Sequence, residues 1–230
     1  MYGTLLDIHT DESMPSLWRR MALFMSFQGA AYKADELRRA YGAAIERDID
    51  SISVVFPAVA KEHIEPDIRR VIGALYRQKG VTPNADRVQD TATLFRTLSM
   101  RQLTVYPEAE TVLRILRKRG KGVYLLSNAQ AAFTMAELVH LQLVSLFDGI
   151  VLSSDVGIKK PDKAIFDYIL SKYGLRPETC LMIGNDMEAD MQGAASVGMA
   201  GRYIHTKQSP EREKPVPPNC SVIHRLSDIL

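Results

Sequence analysis

The sequence changes its rhythm once, near Pro107, and this change limits what the chain can fold into. After it, short apolar runs alternate with longer stretches that have apolar residues at helical spacing, which is typical of parallel βα units. Before it, residues 14–100 show helical spacing almost throughout and no alternation of the strand type. We therefore predict one α/β domain and one separate helical domain.

The helical block is predicted to contain about four helices. Leu17 and Met21 are typical of its apolar spacing. We expect breaks at Gly29, near Asp50-Ser51, at Glu65-Pro66 and at Gly80-Val81-Thr82-Pro83. Helices that follow one another without strands between them favour a helical bundle.

The remainder is predicted to be a doubly wound parallel sheet of the Rossmann-like type, formed by residues 1–13 and 101–230. Strands are predicted at 123–126, 150–152 and 180–183, with shorter remnants at 203–204 and 222–223. Helices are predicted over 108–119, 130–141, 162–173 and 188–197, and a surface loop over 205–219. Because such sheets bind ligands beyond the carboxyl ends of their strands, polar residues that follow the strands are the candidates for a site.

Composition excludes several kinds of partner. The chain has 230 residues and a formal net charge of +2, which provides no basic field for nucleic acid. Its apolar runs are shorter than the ~20 residues that a membrane span needs. Two isolated cysteines, Cys180 and Cys220, and an opening without signal-peptide character favour a cytoplasmic location. The oligomeric state stays open.

An acidic loop follows the predicted strand at 180–183. It reads Gly184-Asn185-Asp186, with Asp190 four residues after Asp186. Two carboxylates at the end of a parallel strand suit Mg²⁺, which takes oxygen ligands and keeps several waters. The alternative is structural, with Asp186 capping the next helix and Asp190 on its exposed face.

Two further polar motifs follow the other strands. Ser127-Asn128 ends the strand at 123–126, where a hydroxyl and backbone amides can hold a phosphoryl oxygen or, alternatively, cap a helix. Lys160 precedes Pro161 at the start of the helix over 162–173. Its ammonium would stabilise negative charge that develops on a phosphoryl group, whereas the adjacent Lys159 is interpreted as a solvated residue.

Together with the opening Met1-Tyr2-Gly3-Thr4-Leu5, these motifs resemble those of the haloacid dehalogenase superfamily of hydrolases. The resemblance covers nearly the whole chain, and it makes residues 14–100 a helical cap over the site. In that superfamily the nucleophilic Asp ends the first strand, two positions before the residue that corresponds to Tyr2. The nucleophile is therefore expected in the residue before Met1, and the chain as given is expected to be inactive.

The resemblance implies a Mg²⁺-dependent phosphatase that acts on a small phosphorylated metabolite through an aspartyl-phosphate. The implied catalytic residues are Ser127, Lys160 and Tyr2. The implied substrate-binding residues are Gly3, Thr4, Ser127 and Asn128. The implied metal ligands are Asp186, Asp190 and the carbonyl of Tyr2. Many relatives have Asp where this chain has Asn185, which leaves the choice of direct ligands open.

Tyr2 keeps a dehalogenase function open. It stands where phosphatases place their general acid, and a phenol protonates a leaving alkoxide poorly. Tyr-Gly-Thr is also what 2-haloacid dehalogenases show, and these recruit an arginine for the substrate carboxylate. Candidates are Arg19, Arg20, Arg38 and Arg39. The acidic pair nevertheless favours phosphate over carbon–halogen chemistry.

The expected absence of the nucleophile has two further explanations. One is a non-catalytic protein that binds a phosphorylated ligand without turning it over. The second is a gene start placed too late, at a methionine inside the motif. We favour the late gene start, because loss of catalysis would more simply change the Asp than delete a whole central strand.

The remaining candidates have structural explanations. An aromatic and methionine set on the first predicted helix could line a pocket under the cap, but such sets more often form a core. Its members are Trp18, Met21, Phe24, Met25 and Phe27. The five histidines show no pairing with cysteine or acidic residues at metal-ligand spacing.

Overall fold

Two groups of elements make up the computed structural model, which describes residues 1–210 and 214–230. The first is a run of four helices, which we name the helical insert (residues 14–99). They are α1 (Pro15–Phe27), α2 (Ala34–Val55), α3 (Ile68–Gln78) and α4 (Ala85–Ser99), with a 3₁₀ turn at Lys61–His63. No helix in the described ranges is long and apolar enough to cross a bilayer.

An antiparallel pair of strands connects the helical insert to the rest of the chain. Strand β1 (Leu6–Thr10) pairs with β2 (Met100–Val105), which places Leu6 opposite Val105. The sequence analysis predicted neither strand. Each is short, and β2 has exposed or half-buried residues throughout, so neither carries the continuous apolar run of a buried strand.

The α/β part follows the predicted order of elements. Its strands are β3 (Tyr124–Ser127), β4 (Gly149–Leu152), β5 (Leu181–Gly184), β6 (Ala200–Ile204) and β7 (Cys220–Ile223). Its helices are α5 (Ala109–Lys118), α6 (Ala131–His140), α7 (Ser153–Val156), α8 (Lys163–Tyr173) and α9 (Gly193–Ser196), with a π-helical segment at Met187–Gln192. The pairings among β3–β7 are parallel, which confirms the predicted fold class.

The parallel strands form two half-sheets instead of one continuous sheet. β3 pairs with β4, and β5, β6 and β7 form the second half-sheet. Among the described strands, β3 and β5 each have a hydrogen-bonded neighbour on one side only. Side chains from both halves, including Leu125 and Ile204, share one apolar cluster. The halves are therefore joined through packing instead of through a backbone ladder.

One local prediction in the helices was wrong. Helix α2 continues through Asp50-Ser51, where a break was expected, because the Ser51 and Ser53 hydroxyls donate to carbonyls one turn earlier and so remain compatible with a helix. The helix predicted at 188–197 is present, with a π-helical first segment that continues directly into α9. The described parts of the predicted loop over 205–219 are irregular, and residues 211–213 lie outside the described residues.

The aromatic and methionine set of α1 belongs to the core of the helical insert. Trp18, Met21 and Met25 are buried there, whereas Phe27 is 81% exposed. The cavity between them measures only about 10 Å³, roughly the space of a single water molecule. The core interpretation is therefore the one that the structure favours over a substrate pocket.

Helix α6 joins the helical insert to the α/β part. Phe133 of α6 lies in the insert's apolar core and stacks on Phe95 of α4, with ring centroids 6.2 Å apart. Beside this contact, Arg96 Nε donates to Glu137 Oε1 of α6 at 2.6 Å. The α4–α6 contact is thus both apolar and ionic.

Truncating this apolar contact tests its importance. We expect Phe133→Ala to lower the free energy of unfolding by about 3–5 kcal/mol, because it leaves a cavity in a core shared by both parts. Val139→Ala on the same helix is the matched control, since Val139 is 65% exposed, and it should change stability by less than about 0.5 kcal/mol. Urea unfolding measures both. Equal effects of the two variants would contradict the shared core.

Candidate active site

The candidate site lies where β3 and β5 end. Ser127 is the last residue of β3 and is buried. Gly184 ends β5 and leads into Asn185 and Asp186. The folded chain therefore brings the predicted motifs to the carboxyl ends of parallel strands, where open α/β sheets bind their ligands.

A buried ion pair connects these two strand ends. Lys160 Nζ lies 2.5 Å from Asp190 Oδ1, and both side chains are only 6% exposed. The same ammonium donates to the Leu126 carbonyl of β3 at 3.1 Å. The other carboxylate oxygen of Asp190 accepts the amide of Asp186, after β5, at 3.0 Å. Two charges at this depth persist because each has several hydrogen-bond partners.

Gly184 makes the close approach of Asp190 possible. A Cβ atom built at Gly184 would lie 2.0 Å from Asp190 Oδ2, a distance that excludes any side chain unless the carboxylate moves. The glycine at the end of β5 is therefore a packing requirement of the ion pair.

Asn128 holds the backbone of Lys160 from both sides. Its Nδ2 donates to the Lys160 carbonyl at 2.9 Å, and its Oδ1 accepts the Lys160 amide at 2.8 Å. Both polar atoms of the predicted substrate-binding side chain thus have backbone partners. Asn128 sets the position of Lys160 in this structure.

The acidic loop has the capping role that the sequence left open at Asp186, whereas Asp190 is buried and not on an exposed helix face as that alternative expected. Asp186 Oδ1 accepts the amides of Glu188 and Ala189 at 3.0 and 2.9 Å, which is a helix-capping arrangement. Asp186 Oδ2 has no hydrogen bond within residues 1–210 and 214–230. One carboxylate oxygen of Asp186 is therefore available to a ligand, while Asp190 is engaged with Lys160.

The opening residues fold as a tight turn against Asn185. The amides of Thr4, Leu5 and Leu6 donate to the Met1 carbonyl at 2.8–3.2 Å. Thr4 Oγ1 donates to Asn185 Oδ1 at 3.0 Å. Gly3 has φ of 74°, and a Cβ there would lie 2.3 Å from the Asn185 side chain. Gly3 and Thr4 are thus placed against the acidic loop, beside the candidate site.

The α-amino group of Met1 is buried close to the ion pair. Burial, with the charge of Lys160, lowers the pKa of this amine to about 5, while Asp190 acts in the opposite direction. A chain atom attached at this amine would therefore enter the neighbourhood of Lys160 and Asp190.

The Tyr2 side chain is directed to a different set of residues. Its hydroxyl donates to Glu137 Oε2 at 2.5 Å and lies 2.9 Å from Thr134 Oγ1, with Arg96 Nη2 donating to it at 3.2 Å. Burial, reinforced by the Glu137 charge, raises the pKa of the Tyr2 phenol above its usual value. The phenol therefore stays protonated and donates a hydrogen bond to Glu137 of α6.

A cleft of about 240 Å³ opens over Lys160. Asn128, Lys160 and Asp186 line it from the α/β part, whereas Glu62 and His63 line it from the helical insert. Four predicted site residues are buried and do not line the cleft: Gly3, Thr4, Ser127 and Asp190. The insert and the predicted motifs therefore meet at this cleft.

Sequence reasoning missed Glu62 and His63. His63 lies 3.3 Å from Asp162, a contact across 99 positions that no local spacing reveals. Conversely, the arginines considered as carboxylate ligands are all exposed, and none lines the cleft. They are Arg19, Arg20, Arg38 and Arg39.

The donor set agrees with Mg²⁺ when a phosphate completes the coordination. Within the described residues, no three histidine, cysteine or acidic side chains converge as a self-contained metal site. Mg²⁺, however, is commonly held by one or two carboxylates together with phosphate oxygens and waters. The free oxygen of Asp186, at the cleft wall beside Lys160, meets that requirement.

Comparison with known proteins defines the family. The family model of haloacid dehalogenase-like hydrolases matches residues 1–198. The chain therefore belongs to the haloacid dehalogenase-like hydrolases. The fold agrees, since a 2-haloacid dehalogenase from Pseudomonas syringae pv. Tomato superposes with a TM-score of 0.60 at 20% identity, covering 100% of this chain and 93% of that one.

Several relatives by sequence are named phosphatases. Phosphoserine phosphatase of Thermus thermophilus is 31% identical over 146 residues, covering 64% of this chain and 57% of the relative. Phosphoglycolate phosphatase of Pectobacterium atrosepticum is 27% identical over 224 residues, covering 91% of this chain and 94% of the relative. The match to the first of these spans little more than half of that relative's length.

The buried amine of Met1 predicts a pH dependence of stability. Its pKa is about 5 in the folded chain and about 8 when exposed, so between these values the unfolded state binds the extra proton. The free energy of unfolding should therefore rise between pH 5 and pH 8, by at most about 4 kcal/mol from this group. The pH slope of urea unfolding measures it. The control is the same chain with an acetylated α-amine, and identical slopes would contradict the burial.

Proposed function

We propose that this protein is a Mg²⁺-dependent phosphatase that hydrolyses a small phosphorylated metabolite through an aspartyl-phosphate. The observation that carries the proposal is Lys160, a buried cation fixed at the floor of a cleft by Asp190 and Asn128. A preorganised ammonium beside a carboxylate with a free oxygen suits a phosphoryl group, whose charge grows toward the transition state.

The nucleophile is proposed to be an Asp that directly precedes Met1 in the gene product. Two features support this position. The Met1 amine has Lys160 and Asp190 as its electrostatic neighbours, and this ion pair is hydrogen-bonded to the end of β3 and to the loop after β5. Both strands have one edge unpaired among the described strands. An apolar strand entering along these edges would present the Asp to the cleft.

The chain's own residues then supply binding and charge stabilisation. Lys160 neutralises charge on the nucleophile and on the phosphoryl oxygens, and Asp190 holds its ammonium in place. Ser127 and the backbone amides that follow β3 are proposed to bind a phosphoryl oxygen. Asn128 acts on substrate indirectly, because it fixes the Lys160 backbone.

Mg²⁺ is proposed to bind to Asp186 and to the Tyr2 carbonyl. Asp190 is proposed to act indirectly, by holding the Lys160 ammonium in place. When bound, the ion supplies Lewis-acid polarisation of the phosphoryl oxygens. The free oxygen of Asp186 and its position on the cleft wall support this assignment.

The helical insert is proposed to serve as a cap domain (residues 14–100) over a core domain formed by residues 1–13 and 101–230. Its contribution to the cleft through Glu62 and His63 supports the proposal. The names of the relatives, phosphoserine phosphatase and phosphoglycolate phosphatase, support a small phosphate ester as substrate. A cytoplasmic enzyme without a nucleic-acid or membrane partner agrees with the composition.

Two other functions have specific support. Tyr2 favours a dehalogenase, because a phenol that keeps its proton is a poor acid for a leaving alkoxide and halide leaves without a proton. The available carboxylate oxygen of Asp186 favours a phosphatase instead. If no nucleophile precedes Met1, residues 1–230 would bind a phosphorylated ligand without turning it over. Each function gives a different result when turnover is measured on an extended chain.

The test extends the chain by the codons immediately upstream of Met1. We expect them to encode an apolar strand of about five to eight residues that ends in Asp. The extended protein should hydrolyse 4-nitrophenyl phosphate with Mg²⁺, and residues 1–230 alone should not. Release of chloride from 2-chloropropionate is measured in parallel to test for dehalogenase activity.

Replacing the added Asp by Asn is the control and should abolish turnover. Lys160→Met should lower kcat/KM by at least about 10²-fold, as expected for loss of charge stabilisation at the transition state. A stop codon or a polar sequence upstream would support the phosphate-binding protein instead. Metal-dependent turnover by residues 1–230 would show that the nucleophile is misplaced.

A further inference from the structure

The segment of the helical insert that reaches the cleft is fixed to the α/β part. The Lys159 amide donates to the His63 carbonyl at 2.8 Å, and Ile64 forms an isolated antiparallel bridge with Ile158. The Glu65 amide donates to the Gly157 carbonyl at 2.9 Å. His63 is therefore held by backbone contacts to the chain directly before Lys160.

A half-buried carboxylate fixes the same segment. Glu65 Oε1 accepts Gln130 Nε2 at 2.7 Å, and Glu65 Oε2 accepts the Ser153 hydroxyl at 3.1 Å. Burial raises the pKa of Glu65, and these donors and Lys159 oppose that shift. The placement of His63 therefore depends on contacts with residues that follow β3 and β4.

The imidazole of His63 is oriented by Asp162. Nδ1 lies 3.3 Å from Asp162 Oδ2, while Asp162 Oδ1 caps α8 by accepting the Ala164 amide at 2.9 Å. An Nδ1–H donated to this carboxylate leaves the proton on Nε2 as the transferable one. Nε2 has no hydrogen bond within the described residues, and His63 lines the cleft together with Lys160.

Tyr2 and Lys160, two proton donors among the predicted catalytic residues, are engaged with other groups. The Tyr2 hydroxyl donates to Glu137, and Lys160 is paired with Asp190. A phosphate monoester of an alcohol needs a proton donor for its leaving oxygen, since an alkoxide is a poor leaving group. His63 is an imidazole at the wall of the same cleft, and its Nε2 has no hydrogen bond within the described residues.

We propose that His63 contacts the bridging oxygen of a bound phosphate monoester and protonates the leaving alcohol. The inference rests on the proposed phosphatase function and assigns the proton donor that Tyr2 does not provide. As the P–O bond to the alcohol breaks, the electron pair stays on that oxygen and takes the proton from Nε2. The neutral imidazole then accepts a proton from the water that attacks the aspartyl-phosphate, which restores both groups.

The lining also defines the substrate class. Apart from the imidazole, the cleft has no aromatic ring among its described lining residues, and its lining includes the charged side chains of Glu62 and Lys159. A nucleobase would lack a stacking surface there. A small aliphatic phosphate with hydroxyl or charged groups matches these side chains.

The test compares two ligands that differ at the bridging oxygen. Calorimetry on residues 1–230 with Mg²⁺ uses glycerol 3-phosphate, its phosphonate analogue with CH₂ in place of that oxygen, and inorganic phosphate. The wild-type chain should prefer the ester to the phosphonate by about three- to tenfold, the value of one hydrogen bond. His63→Ala and His63→Leu should reduce this preference to less than about twofold, while inorganic phosphate still binds.

His140→Ala is the matched control, because His140 is an exposed histidine on α6, and it should keep the preference. Binding of inorganic phosphate in the His63 variants shows that they are folded. An unchanged preference in both variants, with phosphate still bound, overturns the role of His63 and leaves the proposed function intact. A wild-type chain that binds neither inorganic phosphate nor glycerol 3-phosphate overturns both.

Discussion

The buried pair of Lys160 and Asp190 is the contact on which the organisation of the site depends. Its hydrogen bonds reach the end of β3 through the Leu126 carbonyl and the loop after β5 through the Asp186 amide. The two half-sheets share no backbone ladder among the described strands, so this pair is a polar link between their carboxyl ends. Breaking a buried pair leaves an uncompensated charge, so the pair must stay closed. Gly184 leaves room for the Asp190 carboxylate, and Asn128 holds the backbone of Lys160.

The helical insert is attached to the α/β part on two sides, and the cleft lies at the second. On the first side, Phe133 and Glu137 of α6 pack against α4. On the second, the segment around His63 and Glu65 bonds to residues 157–159. Together these contacts place an insert side chain at a cleft whose floor is built by the α/β part.

Sequence reasoning reached the parts of the site that follow directly from strand ends. Asn128, Lys160 and Asp186 come after predicted strands, and the structure brings them to one cleft. The hairpin of β1 and β2 was missed because pairing between residues about a hundred positions apart leaves no local pattern. His63 was missed for the same reason, since its partner Asp162 is 99 positions away along the chain. The roles of the Asn128 side chain and the Tyr2 phenol depend on contact geometry that spacing does not encode.

The most direct test of this account is binding of inorganic phosphate to residues 1–230 and two lysine variants, measured by calorimetry with Mg²⁺. Lys160 and Lys159 are adjacent and both line the cleft, but only Lys160 is locked by Asp190 and Asn128. The account predicts that Lys160→Met lowers phosphate affinity by about tenfold or more, the value of a charged hydrogen bond, and that Lys159→Met changes it by less than about threefold. Equal losses in the two variants, or a larger loss in Lys159→Met, would contradict the assignment of the anion site to the buried pair.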